Sequence, residues 1–217
     1  MNDAPTPAPA GRTYGGLTAQ QRLEERRARL REVGLELFAE RGFARTGVRD
    51  LCRAAKIGER AFYDAFGSRE NLLRDVYLDA TDAVIADIAT ALEAAPHELG
   101  PRLHAGLAAF FASITDDPRR GRLIYVESLG RGAEIEDARR EGLGRFVNFS
   151  IEQLGEYLPD PPPRPVAINA AVSAAILGIG EIAYRLAEGE TGFTPAEAID
   201  AITVGIAGAG LALGLQP

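Results

Sequence analysis

The stretch Cys52-Arg-Ala-Ala-Lys-Ile-Gly-Glu-Arg-Ala-Phe-Tyr-Asp-Ala-Phe66 holds the groups in this chain best placed to meet a polyanion. It reads as two short helices with a tight break at Lys56-Ile57-Gly58, and Arg60 and Tyr63 lie on the second of them. A short helix, a turn of three or four residues and another short helix make the helix-turn-helix arrangement, whose second helix can lie in the major groove of DNA. Spacing alone also fits an ordinary helical corner. Other chemistry is poorly supplied. The chain has two histidines and one cysteine, with no Gly-rich phosphate loop, no His-Glu-x-x-His and no Gly-x-Ser-x-Gly. His97 falls in an expected loop without partners nearby in sequence. An enzyme is therefore not expected, and neither a metal nor a cofactor is implied.

The elements that must position those groups read as helices throughout. Thr18-Ala-Gln-Gln21 has the form of a capping box and opens a first helix reaching about Arg41, with Leu30, Val33, Leu37 and Phe38 as its apolar stripe. Gly42 suits its end. Thr46 is expected to cap a second helix over about 48–55, and a third covers about 59–66 with Ala61, Phe62 and Phe66 facing inward. Gly67-Ser68 stops it, and Ser68 caps a fourth over about 69–94. Helices five to eight are predicted at about 101–115, 118–129, 133–158 and 165–188, separated by Pro and Gly breaks. Thr194-Pro195 with Glu197 starts a ninth. No period-two alternation suggests a strand, so the fold class is all-α. The predicted organisation is a disordered tail at 1–16, a DNA-binding unit at 17–67 and a ligand-binding and dimerisation unit at 68–217.

Charge divides unevenly along this plan. Residues 1–75 carry 14 Lys or Arg against 11 Asp or Glu, a balance of +3, and the remainder carries 10 against 20, or −10, within a net charge of −7. The positive end is the end with the paired short helices, which points to an anionic partner there. Cys52 is the only cysteine, so no intrachain disulfide forms, and a small buried hydrophobe is its expected role. Nothing at the start reads as a signal peptide. The longest apolar runs, Ala170–Gly180 and Ala201–Leu215, are shorter than the roughly 20 residues of a membrane span, and a cytoplasmic location is expected.

Specific residues carry the argument further. Leu37-Phe-Ala-Glu-Arg-Gly-Phe43, Val48-Arg-Asp-Leu51, Ala61-Phe-Tyr-Asp-Ala-Phe66 and Ser68-Arg-Glu-Asn-Leu72 resemble, in collinear order over about a fifth of the chain, the DNA-binding domain of TetR-family transcriptional regulators. The resemblance implies a dimeric, usually repressing, DNA-binding protein that a small ligand in its C-terminal domain releases from the operator. On that reading Arg60 is the candidate to reach a base edge, guanine O6 and N7 being common arginine targets. Tyr63 and Lys56 would contact phosphate, and Thr46 with the free N–H groups of helix two would seat one. Arg49 and Arg69 stand at helix starts close to where the DNA backbone would pass. The sequence departs from the family pattern at Lys56, where Gly is usual, at Gly58, where Ser or Thr caps, at Glu59, where a cation is common, and at Asp64-Ala65, where an aromatic and a His precede the last Phe. Two acids on a recognition helix repel phosphate, and the arginines of helix one are then expected to supply phosphate affinity.

The C-terminal half offers two patterns. His104, Phe110, Phe111, Tyr125, Glu127, Phe146, Asn148 and Phe149 mix aromatic and polar groups over helices five to seven, as in a small-molecule pocket for an apolar or aromatic effector, although aromatic stripes at helical spacing also serve as plain core. Ala170, Ala174 and Gly178, then Ala201, Gly205 and Ala209, recur every four residues, a smooth strip that allows close helix approach. By the resemblance, these last two helices form a homodimer interface. Ligand release is expected to work through helix four, which joins the recognition helix at Gly67-Ser68. The leading expectation is thus a ligand-responsive regulator of double-stranded operator DNA, and the alternative is a helical adaptor that binds no DNA.

Overall fold

The computed structural model describes residues 18–162, 164–189 and 192–215. The expected disordered tail lies outside the described residues. Among those described there are nine α-helices and no strand: α1 Ala19–Arg41, α2 Val48–Ala55, α3 Glu59–Phe66, α4 Arg69–Ala94, α5 Leu99–Thr115, α6 Pro118–Arg122, α7 Ala133–Gly155, α8 Pro165–Glu188 and α9 Pro195–Leu213.

Local chemistry sets most boundaries. The Thr18 hydroxyl accepts from the Gln21 N–H at 3.2 Å, and the Gln21 carboxamide accepts from the Thr18 N–H at 2.8 Å. The same reciprocal pair joins Thr194 and Glu197 at the start of α9. Ser68 accepts from the Asn71 N–H at 3.0 Å and opens α4. Each satisfies donors that the first helical turn leaves without partners.

The second helix is capped differently from the expectation. Gly47 is its N-cap, and the Asp50 carboxylate accepts from the Gly47 N–H at 3.1 Å. Thr46 lies one residue too early and is fully buried; its hydroxyl donates to the carbonyls of Gly42, at 2.9 Å, and Leu37, at 3.2 Å. It secures the end of α1 instead of the start of α2. Helix six also differs. It is α-helical only to Arg122 and then widens into a π-helical turn, Leu123–Glu127, closed by Ser128 N–H donating to the Leu123 carbonyl at 3.1 Å. Helix seven stops at Gly155, leaving Tyr157 and Leu158 in the turn beyond.

Helices α1 to α3 form one end of the molecule. α4 runs out of that end and packs on α1, α5 and α7, while α8 covers α7 and the π-helical turn, and α9 covers α5. Gly142 of α7 permits the close crossing of α4, since a Cβ there would stand 3.0 Å from the Tyr77 ring. The buried apolar core is continuous from Leu30 and Phe62 through Leu73 and Val84 to Phe111 and Ile199. The expected division at residue 67 therefore falls inside one core, with α4 shared by both sides of it.

Candidate functional site

At the helix-turn-helix end, burial separates two classes of residue. Leu51, Cys52 and Ala55 of α2 and Phe62, Ala65 and Phe66 of α3 are buried and hold the two helices on α1. Burial, helped by Glu59, raises the Cys52 thiol above its usual pKa, in keeping with a packing role. Arg49, Arg53, Lys56, Arg60, Tyr63 and Asp64 are exposed. Tyr63 stands out with half of its surface in solvent, its ring edge-on to Phe62 at 5.4 Å. Lys56 caps α2 in the left-handed conformation, φ 55°, the one non-Gly residue with positive φ among those described. Glu59 of α3 pairs with Arg49 of α2 at 3.2 Å, so one acid of the recognition helix sits beside a cation; both groups are exposed.

Two residues singled out for phosphate have structural partners instead. Thr46 is engaged as described. Arg69 donates to the carbonyls of Thr46, at 2.8 Å, and Phe43, at 3.2 Å, and its guanidinium lies 4.0 Å over the Phe43 ring. Its charge is spent holding the chain between α1 and α2 against α4.

Phe43 is gripped from the opposite side too. Glu127, buried at the end of the π-helical turn, accepts from the Phe43 N–H at 3.0 Å. Arg131 and Arg122 flank that carboxylate at 3.3 and 3.5 Å. A Cβ at Gly42, where φ is +85°, would stand 3.3 Å from the same carboxylate, so only glycine meets both demands. Glu127 is thus a link to the helix-turn-helix end and does not line the pocket.

The pocket itself is a cavity of about 240 Å³ bordered by α4, α5, α7, α8 and α9, open on part of its boundary, with Tyr125 of the π-helical turn in its wall. Phe110, Tyr125, Phe146 and Phe149 line it. Phe110 meets Tyr125 at 6.5 Å and Phe146 at 6.4 Å, both edge-on. Burial holds the Tyr125 phenol well above the usual range, nearby Tyr77 pushing the same way and Arg139 opposing. Phe111 turns away into the core, where it is almost fully buried. His104 is on the outer side of α5, over half exposed and 3.6 Å from Asp200.

Sequence reading missed the polar end of this cavity: Arg102, Ser150, Gln153 and Tyr157 line it with Leu99. The signal was present as a helical repeat, since 99, 102, 106 and 110 on α5 line the same cavity as 146, 150 and 153 on α7 and Tyr157 just beyond its end. It is legible only once those helices are known to lie in opposite directions across one cavity, with Arg102 meeting Gln153 and Phe110 meeting Phe146. The small-residue positions divide less sharply. Ala170, Ala174, Gly178, Ala201, Gly205 and Ala209 are all exposed, and Ala209 also reaches the cavity. Around them Val166, Leu177, Val204 and Leu211 are exposed as well, Val166 by 83% and Val204 by 73%. Both helices are long and apolar enough to cross a membrane by length and composition, α8 with a mean hydropathy of 1.8 and α9 of 1.5. The apolar runs counted in sequence understate them, because residues flanking each run continue the helix.

Comparison with known proteins agrees with this geometry. Residues 30–76 match the family model described as bacterial regulatory proteins, tetR family. A protein of Syntrophomonas wolfei str. Goettingen, described as a TetR-family transcriptional regulator, is 20% identical with a TM-score of 0.71, over 88% of this chain and 97% of that one. A tetR-family transcriptional regulator from Streptomyces coelicolor is 19% identical with a TM-score of 0.68, over 88% and 82%. The transcriptional regulator FadR from Bacillus subtilis, solved with stearoyl-CoA, is 13% identical with a TM-score of 0.69, over 82% and 95%.

Proposed function

We propose that this chain, whose residues 30–76 are a TetR-type DNA-binding domain on a TetR-like fold, is a dimeric repressor released from its operator by an apolar small molecule. One observation carries the ligand-responsive part of that reading. A single five-residue π-helical turn offers Tyr125 to the cavity and Glu127 to the backbone of Phe43. A ligand that shifts Tyr125 therefore acts on the segment between α1 and α2. A ligand changes a conformational equilibrium only as far as it prefers one state, and this turn is where the preference is transmitted. The sequence expectation placed that transmission in α4. α4 still takes part, since Arg69 holds Phe43 from its first turn. The Bacillus subtilis FadR, of like fold, is in complex with stearoyl-CoA, and the long acyl chain of that molecule supports an effector with an apolar body here.

The exposed apolar faces of α8 and α9 support pairing with a second copy, which places two recognition helices to read two half-sites. A cytoplasmic site follows from access to DNA. Arg49, Lys56, Arg60 and Tyr63 are exposed and are the residues we assign to contact it, Arg49 sharing its charge with Glu59, and Thr46 and Arg69 act by positioning them. A gel shift against the DNA upstream of its own gene, titrated with salt, tests the proposal. A discrete, salt-sensitive shift that survives competitor DNA is expected. No shift at low salt from folded dimer would favour the adaptor reading, with Glu59 and Asp64 as the repelling groups.

A further inference from the structure

The cavity has a chemical polarity that its apolar walls conceal. It extends along α5 from Leu99 to Phe110, roughly 16 Å at the rise of an α-helix, and ends in aromatic rings at Phe110, Tyr125 and Phe146. The other end holds Arg102, which is 9% exposed. That guanidinium has five N–H donors and poor use for them here. One nitrogen donates to the Gln153 side-chain carbonyl at 3.2 Å, and the other lies 3.5 Å from the His97 ring and 3.8 Å from the half-exposed Glu156 carboxylate. At the same end Tyr157 packs with Leu99, and its hydroxyl is buried with no hydrogen-bond partner among the described residues. Leaving such a group unpaired is costly. A cation short of close anionic contact and an orphaned hydroxyl, together at one end of an apolar tube, describe a receptor for a negatively charged head on an apolar body.

We propose, resting on the effector reading above, that the cavity binds an aliphatic carboxylic acid, its chain along α5 and α7 and its carboxylate held by Arg102 and Tyr157. Charge-assisted donation from a guanidinium is about twice as strong as a neutral hydrogen bond, which lets the site select an acid over a neutral molecule of equal length. The Tyr157 hydroxyl adds a second donor at the same oxygen pair.

Calorimetric titration of the intact protein with decanoic acid and with decanol tests this, alongside Arg102→Gln, Tyr157→Phe and the cavity-filling Ala175→Phe. The acid is expected to bind at least about tenfold more tightly than the alcohol. Arg102→Gln and Tyr157→Phe should each remove most of that preference, lowering affinity for the acid far more than affinity for decanol. Tyr157→Phe should also melt no lower than the parent, because it deletes a hydroxyl that makes no bond. Equal affinity for acid and alcohol, both abolished by Ala175→Phe, would overturn the head-group assignment and leave the cavity as an effector site. Failure of both to bind, or binding untouched by Ala175→Phe, would overturn the effector reading and this inference with it.

Discussion

Lys56 and Arg60 are four residues apart and answer to different forces. Lys56 closes α2 at φ 55°, a conformation that costs a side-chain-bearing residue about 1 kcal/mol or more. Lys56→Gly should therefore raise stability by up to about 1 kcal/mol, less the extra chain entropy of glycine, while weakening DNA binding through the lost charge. Urea unfolding read beside a salt-titrated gel shift checks both signs. Arg60 is exposed on α3 with no ion pair among the described residues. Arg60→Ala should cost roughly 1–3 kcal/mol in specific DNA binding and relax one operator position. Unchanged sequence preference in that variant would remove Arg60 as a base reader. Thr46 and Arg69 show the limit of reading type from sequence: a hydroxyl and a guanidinium suited to phosphate are each turned inward, onto backbone carbonyls that α1 and its following turn leave open.

Among the elements, the π-helical turn matters most. Two residues apart on this turn, Tyr125 and Glu127 point to opposite sides, so one faces the cavity while the other reaches Phe43. Glu127→Gln keeps the shape and an acceptor but removes the charge that Arg122 and Arg131 flank. The cost should be about 1–3 kcal/mol of stability. Ligand affinity should persist while the ligand's effect on DNA affinity shrinks. Parallel titrations of ligand and operator measure that coupling, and coupling at the parental level would show that the signal bypasses Glu127. α4 contributes the second hold on Phe43, so the two recognition helices of a dimer should change spacing between ligand-free and ligand-bound forms. Distances between spin labels on α3 measure it.

For the whole molecule, the question is what covers α8 and α9. Their outer faces combine small residues at four-residue spacing with exposed Val166, Leu177, Val204 and Leu211. An apolar surface of this kind on a folded chain marks an interaction site. Val204→Arg places a charge in its middle. It should convert a dimer to a folded monomer in sedimentation and lower operator affinity by more than tenfold, since each protomer then binds its half-site alone. A variant that stays dimeric would locate the interface elsewhere.

By itself the sequence determined most of the helices, because caps, glycines and prolines act within a turn or two: Thr18, Ser68 and Thr194 each cap the helix that follows them. It also determined the helix-turn-helix, whose apolar positions are packed within some 45 residues. Tertiary structure decided which polar residues are free to do chemistry. Thr46, Arg69 and Glu127 are bound by partners up to 84 residues away, and Arg102 and Tyr157 line one cavity only because α5 and α7 lie in opposite directions across it. Local hydrogen bonds are encoded by neighbouring residues. A pocket is encoded by the relative rotation of whole helices, set here by a five-residue π-helical turn and a glycine at 142 that no short-range pattern announces.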